Sequence, residues 1–200
     1  MKTSTLKAII NAFNTASKDI TRPNLTSVLI EREGGEANIE GVKIVGCDGH
    51  KLSVSIQNDS ELCELLGERK YLVTQDDLKI IKLLAKEFKT LGIFPCKLDG
   101  DVIVIGLESM PFVVRLKTQQ AHNLTYPDYN QVIPKDTNYS VEVSFNPEYL
   151  LSIAKALKDI DARNERVTLK INPNDKTAPI MVKSSGQGMA VLMPIRPIRV

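Results

Sequence analysis

The sequence predicts an α+β protein of three repeated βαβββ units, with helices on one face of antiparallel sheets. Helix-start signals recur at Ser4, Thr74 and Asn146, spaced by about 70 residues, a period long enough for one such unit. Each helix that follows carries a single apolar stripe, and each is succeeded by three β-rich runs. A one-sided helix over a small antiparallel sheet is a two-layer α+β arrangement, and units of this kind can continue one another's sheets edge to edge.

In the first unit, residues 4–18 place Leu6, Ile9, Ile10, Phe13 and Ala16 on one helical face, and Thr3 or Ser4 is the expected cap. Pro23 blocks continuation, so residues 25–30 read as a strand and Gly34-Gly35 as a turn. Residues 42–46 and 51–57 read as two strands around Asp48-Gly49, which is expected to form a tight primed turn. A short helix is expected at 61–65.

The second unit opens with the strand Tyr71-Leu72-Val73. It runs into Thr74-Gln75-Asp76-Asp77, a capping box with Asp77 in place of Glu. Leu78, Ile81, Leu84, Ala85 and Phe88 are its buried helical stripe. Strands are expected at 92–98, 102–106 and 112–117, with Asp99-Gly100-Asp101 as a turn. Tyr126-Pro127-Asp128-Tyr129 reads as a connector. In the third unit, 139–144 is expected to be a strand, and Asn146-Pro147 starts a helix burying Leu150, Leu151, Ala154 and Leu157. Strands follow at 166–171, 180–183 and 189–196, with Ser184-Ser185-Gly186-Gln187-Gly188 as a hairpin turn. The expected domains are 1–134, holding two units, and 135–200, holding the third.

Composition bounds the function. With 26 basic and 24 acidic residues, an apolar fraction of 42% and no Trp, the chain has none of the marks of a disordered, collagen-like or membrane-spanning protein. Residues 1–3 lead directly into an amphipathic pattern without a signal-peptide core, which predicts a cytoplasmic protein. Cys47, Cys63 and Cys96 are odd in number and far apart, as expected of free thiols serving as packing residues or bystanders. No nucleophile elbow, phosphate loop or zinc-protease motif occurs, so no enzyme is expected. Cys47, Asp48 and His50 have no common metal-site spacing; no metal or other cofactor is expected.

Lysines supply the first functional signal. Lys79, Lys82, Lys86 and Lys89 lie along one side of the second helix, Lys7 and Lys18 belong to the first helical segment and Lys155 and Lys158 to the third. Such stripes usually are solvated faces. If all three helices share one surface, the ammonium groups line it and suit sequence-independent contact with the phosphates of duplex DNA.

Four stretches together resemble the bacterial sliding clamp family, the β subunits of DNA polymerase III. They are Arg22-Pro23-Asn24-Leu25, Cys47-Asp48-Gly49-His50-Lys51-Leu52, Tyr126-Pro127-Asp128-Tyr129-Asn130-Gln131-Val132-Ile133-Pro134, and Val191-Leu192-Met193-Pro194-Ile195-Arg196. Phe145-Asn146-Pro147-Glu148-Tyr149-Leu150-Leu151 also resembles the clamp's last helix. Residues 1–134 resemble a complete middle domain and 135–200 the second half of the last domain; Lys51 stands where the family has Arg, and residues 197–200 extend beyond the family's usual end.

The resemblance implies a DNA-clamp-like fold, no catalytic role, and a replication accessory protein, or processivity factor. It implies a cleft for the clamp-binding motifs of polymerases and repair proteins, lined by Leu25, Gly49, His50, Lys51, Leu52, Pro127, Val132, Val191, Met193, Pro194, Ile195 and Arg196. The implied partners are duplex DNA, a polymerase, other motif-bearing proteins, a clamp loader and further copies of the chain, since three units per chain need four chains for a ring of twelve. The alternative is an adaptor or competitor that binds clamp motifs without encircling DNA.

Overall fold

The computed structural model describes residues 1–34, 40–87, 92–106, 112–134, 141–160, 166–184 and 188–195. It divides into two compact units, Met1–Ile133 and Pro134–Val200.

The first unit contains α1 (Thr3–Ala12), β1 (Val28–Gly34), β2 (Glu40–Cys47), β3 (Leu52–Gln57), α2 (Ser60–Leu66), β4 (Tyr71–Val73), α3 (Gln75–Glu87), β5 (Cys96–Asp99), β6 (Val102–Ile105), β7 (Val114–Thr118) and α4 (Gln119–His122). Its strands form one antiparallel sheet in the order β3-β2-β1-β4-β7-β6-β5. Side chains alternate across a strand. Accordingly Val28 and Ile30, Val42 and Ile44, Tyr71 and Val73, Ile103 and Ile105, and Val114 and Leu116 form one core with Leu6 and Ile9 of α1, Leu62 and Leu66 of α2 and Ile81 and Leu84 of α3. The opposite phase, Leu29, Val45 and Leu72, packs against Tyr126 and Tyr129 of the connector. Helices on one face are therefore the observed arrangement.

Two repeats make up this unit and close on each other in the same way twice. The opening strand of the second repeat, β4, lies antiparallel to β1 of the first, pairing Val28 with Val73 and Ile30 with Tyr71. Reciprocally, residues 1–3 lie against residues 92–94, with a Lys2–Ile93 bridge, Phe94 N–H donating to Met1 O at 2.7 Å and Thr3 N–H to Gly92 O at 3.1 Å. The Met1 ammonium is buried, donating to Phe94 O at 2.8 Å and Glu61 at 3.0 Å.

Several local expectations need correction. Neither Thr3 nor Ser4 caps α1; Lys2 occupies the cap position without a side-chain bond, and the carboxylate of Asp59 accepts from Lys2 N–H and Thr5 Oγ1, both at 2.6 Å. α1 ends at Ala12 instead of reaching residue 18, and a series of turns delays β1 to Val28, leaving Leu25 outside the strand. Asp48-Gly49 is not a two-residue primed turn: Cys47 pairs with Leu52, so the loop has four residues, and only Gly49 has positive φ, at 90°. The expected capping box is present, with Thr74 N–H and Oγ1 on Asp77 at 2.9 and 2.7 Å and Asp77 N–H on Thr74 Oγ1 at 3.3 Å. Gly35, Phe88 and Lys89 lie outside the described residues.

The second unit contains α5 (Pro147–Ile160), β8 (Val167–Lys170), β9 (Ile180–Ser184) and β10 (Met189–Leu192), with antiparallel sheet order β10-β9-β8. Asn146 Oδ1 accepts from Glu148 N–H at 2.9 Å, so Asn146 caps and Pro147 leads the helix as expected. Leu157, Ile180, Val182 and Leu192 are its buried core, flanked by Val143, Phe145, Leu150 and Ile153. Leu151 is not buried; it is 49% exposed, one residue beyond the stripe that faces the sheet. Residues 141–144 do not form a strand; Ser144 O accepts from Ile195 N–H at 2.8 Å. Residues 139–140, 185–187 and 196–200 lie outside the described residues, although β9 and β10 pair as the expected hairpin requires. The helices α1, α3 and α5 begin at Thr3, Gln75 and Pro147, each start 72 residues after the last.

Candidate functional site

In the first unit the hairpin loop between β2 and β3 is built by Asp48. Its Oδ1 accepts from the N–H groups of His50 and Lys51, both at 2.9 Å, and its N–H donates to Lys51 O at 3.2 Å. An aspartate holding the amides two and three residues ahead replaces the turn hydrogen bonds of the backbone. Those amides, His50 first, hold the Asp48 carboxyl below the usual range, with the Lys51 ammonium adding to the effect. Lys51 Nζ lies 3.4 Å from Asp48 and donates to Asn14 O at 2.9 Å, so the cation is turned toward the end of α1. Gly46, just before the loop, sits so close to α1 that a Cβ there would fall on the Ala12 carbonyl and the Thr15 hydroxyl.

The connector is fixed beside this loop by its two tyrosines. Tyr126 donates its hydroxyl to Val45 O at 3.3 Å and its N–H to Gln119 Oε1 at 2.6 Å, while Tyr129 donates its hydroxyl to Glu31. Burial raises both phenols well above their ordinary range, and at Tyr129 the contact with Glu31 adds to it. A 3-10 turn, Tyr129–Gln131, capped by Asp128, then presents Val132, which is 66% exposed.

The loop and the connector meet around a depression of about 270 Å³ lined by Cys47, Gly49, His50, Lys51, Leu52 and Val132. Of the expected cleft residues in this unit, Gly49, His50, Lys51, Leu52 and Val132 come together there. Leu25, half-buried, and Pro127, exposed, are not among its lining residues. Cys47, expected from sequence to be a packing residue or a bystander, is part of the lining.

In the second unit Met189, Val191, Met193 and Ile195 alternate with the buried Leu192 and are each more than half exposed. They form an apolar row along β10 and its continuation, on the face away from α5. Pro194 is half-buried between them, and Arg196 lies outside the described residues. Met189 extends the row by one residue beyond the expected set; its period-two spacing from Val191 was the signal for it.

The lysines expected to meet DNA are exposed: Lys7, Lys18, Lys79, Lys82 and Lys86 in the first unit, Lys155 and Lys158 in the second. Lys79 is paired with Asp76 at 2.7 Å. Lys18 and Lys82 border a second depression, of about 760 Å³, between the end of α1 and the start of α3. Among the described residues no group of three His, Cys, Asp or Glu could hold a metal, and no helix is long and apolar enough to cross a membrane.

This two-layer fold of repeated α/β units is that of the DNA sliding clamps. In particular, it matches bacterial DNA polymerase III β subunits. The β subunit from DNA polymerase of Streptococcus pyogenes superposes with a TM-score of 0.68 at 21% identity, over 98% of this chain and 49% of that one. The β chain of DNA polymerase III from Streptococcus pneumoniae gives 0.66 at 22%, over 98% and 48%. The Caulobacter crescentus β sliding clamp gives 0.70 at 16%, over 97% and 49%. The chain thus spans about half the length of these solved clamps. No protein-family model matches the sequence, and no curated protein matches it.

Proposed function

We propose that the chain is a sliding-clamp-like replication accessory protein, without catalysis of its own, acting in the cytoplasm. It binds the clamp motifs of polymerases and repair proteins in an apolar cleft and, as an oligomer, encircles or cradles duplex DNA. The observation that carries this reading is the depression between the Cys47–Leu52 loop and Val132, on a clamp fold. A rigid hairpin beside an exposed valine suits an extended apolar peptide, and in the second unit the exposed row Val191, Met193 and Ile195, with its adaptable methionine, is a further apolar surface for such a ligand. The lysines on α1, α3 and α5 supply a sequence-independent attraction for phosphates that weakens with salt.

Fluorescence polarisation with a polymerase clamp-binding peptide tests the part played by this row. Met193→Ala is expected to weaken binding about tenfold, the loss of a buried apolar anchor on association. Unchanged affinity would remove Met193 from the site.

The pairing of Lys79 with Asp76 at 2.7 Å, which occupies one of the expected phosphate contacts, favours a second reading, an adaptor that occupies clamp motifs without holding DNA. Retention on nicked circular DNA that is lost on linearisation supports encirclement. Peptide binding without retention supports the adaptor.

A further inference from the structure

The first unit contains two repeats, and the opening segment of each lies against the chain that follows the other's helix: β4 covers the edge of β1, and residues 1–3 lie against residues 92–94, just ahead of β5. The second unit holds a single repeat. Its first post-helix strand, β8, is paired with β9 on one edge only among the described residues, and every residue of β8 is exposed. Val167 and Leu169 lie on the sheet face that carries the core, yet remain 42% and 43% exposed, where their counterparts Val28 and Ile30 are fully buried. The second unit also has an opening segment, residues 141–145, whose Val143 and Phe145 pack into its core as Tyr71 and Val73 do in the first unit.

We infer that this face binds a second copy of the chain: the opening segment of one copy pairs with β8 of the other, and reciprocally, across a two-fold axis. The first unit supplies the register. Val73, two residues before α3, pairs with Val28, and Tyr71 with Ile30. Counting back from the start of α5 sets Phe145 against Val167 and Val143 against Leu169, apolar on apolar. One step further, the first unit has Lys70 bound to Glu31 at 3.0 Å. The same step in the second unit sets Glu142 against Lys170, the same ion pair with its signs exchanged. A two-fold contact is self-complementary, so the closed edge pairing occurs twice and leaves neither β8 uncovered. Two copies then hold three complete pairs of repeats.

This deepens the oligomeric half of the proposed function and rests on that half, not on the peptide cleft. Sedimentation equilibrium of the full chain, without DNA or peptide, reads it separately. The wild type is expected to dimerise. Glu142→Lys and Lys170→Glu each set two like-charged pairs against one another and are expected to raise the dimer dissociation constant at least tenfold. The double variant, which restores both pairs and controls for folding, is expected to return within about threefold of the wild type. A wild type that stays monomeric at 100 µM, single variants that dimerise unchanged, or a double variant no better than either single would overturn the inference while leaving the cleft untouched.

Discussion

Asp59→Ala is expected to lower the free energy of unfolding by about 3 kcal/mol, combining a lost helix cap with buried donors left unpaired. The carboxylate is 1% exposed and serves two helices. It caps α2 through Leu62 N–H at 3.3 Å, and it holds the start of α1 through Lys2 N–H and Thr5 Oγ1. Burial alone would raise this carboxyl, yet the Thr5 hydroxyl, the two amides and the nearby Met1 ammonium together hold it below the ordinary range. A depressed carboxyl stabilises the fold fully above its unfolded pKa, about 3.9. That contribution is lost as pH falls through the lower folded value. Urea unfolding of wild type and Asp59→Ala between pH 7 and pH 2 checks both statements. The difference between the two curves should narrow below about pH 4; a constant difference would show that the carboxylate's charge is not what matters.

Gly46→Ala is the second large effect, an expected loss of about 2 to 3 kcal/mol from overpacking a buried contact. The added methyl meets the backbone oxygen of Ala12, which already accepts from Thr15 Oγ1 at 2.8 Å and from the N–H groups of Thr15 and Ala16. Backbone cannot move aside as a flexible side chain can. The Thr15 hydroxyl also reaches Ser53 Oγ, tying the end of α1 to β3, so displacement there passes into the hairpin that carries His50 and Lys51. Thermal unfolding reads the stability loss. A variant as stable as the wild type would mean that α1 can retreat from β2 freely.

What the sequence made legible was local. The capping box at Thr74 and Asp77 and the Asn146-Pro147 start are signals within four residues of each other, and both are present as expected. Helical and strand periodicity likewise exposed the core face, because burial imposes it on consecutive residues. The capping of α1 was not legible, since the acceptor, Asp59, lies 57 residues from Lys2. Nor was the second face of the sheet: Tyr126 and Tyr129 looked like connector residues, and only the register of β1, β2 and β4 shows that Leu29, Val45 and Leu72 need cover there. Asp48-Gly49 favours a two-residue turn, but an aspartate able to hold two amides at once stabilises the longer four-residue loop instead. Leu151 was assigned to the core because apolar residues at adjacent positions fit a wide stripe, while the small sheet under α5 covers only a narrow one.

Within the candidate site, Gly49, His50, Lys51 and Leu52 line the depression together because they are contiguous in sequence. Val132 joins them only through the buried tyrosines that anchor its turn. The most direct measurement of the central claim is therefore the affinity of a polymerase clamp-binding peptide, by fluorescence polarisation, for the wild type and Val132→Asp. Val132 is exposed, so the substitution should leave thermal stability unchanged while placing a carboxylate in an apolar depression. Saturable binding by the wild type, weakened at least tenfold in the variant, is the predicted result. No binding by the wild type, or equal binding by both, would contradict the account.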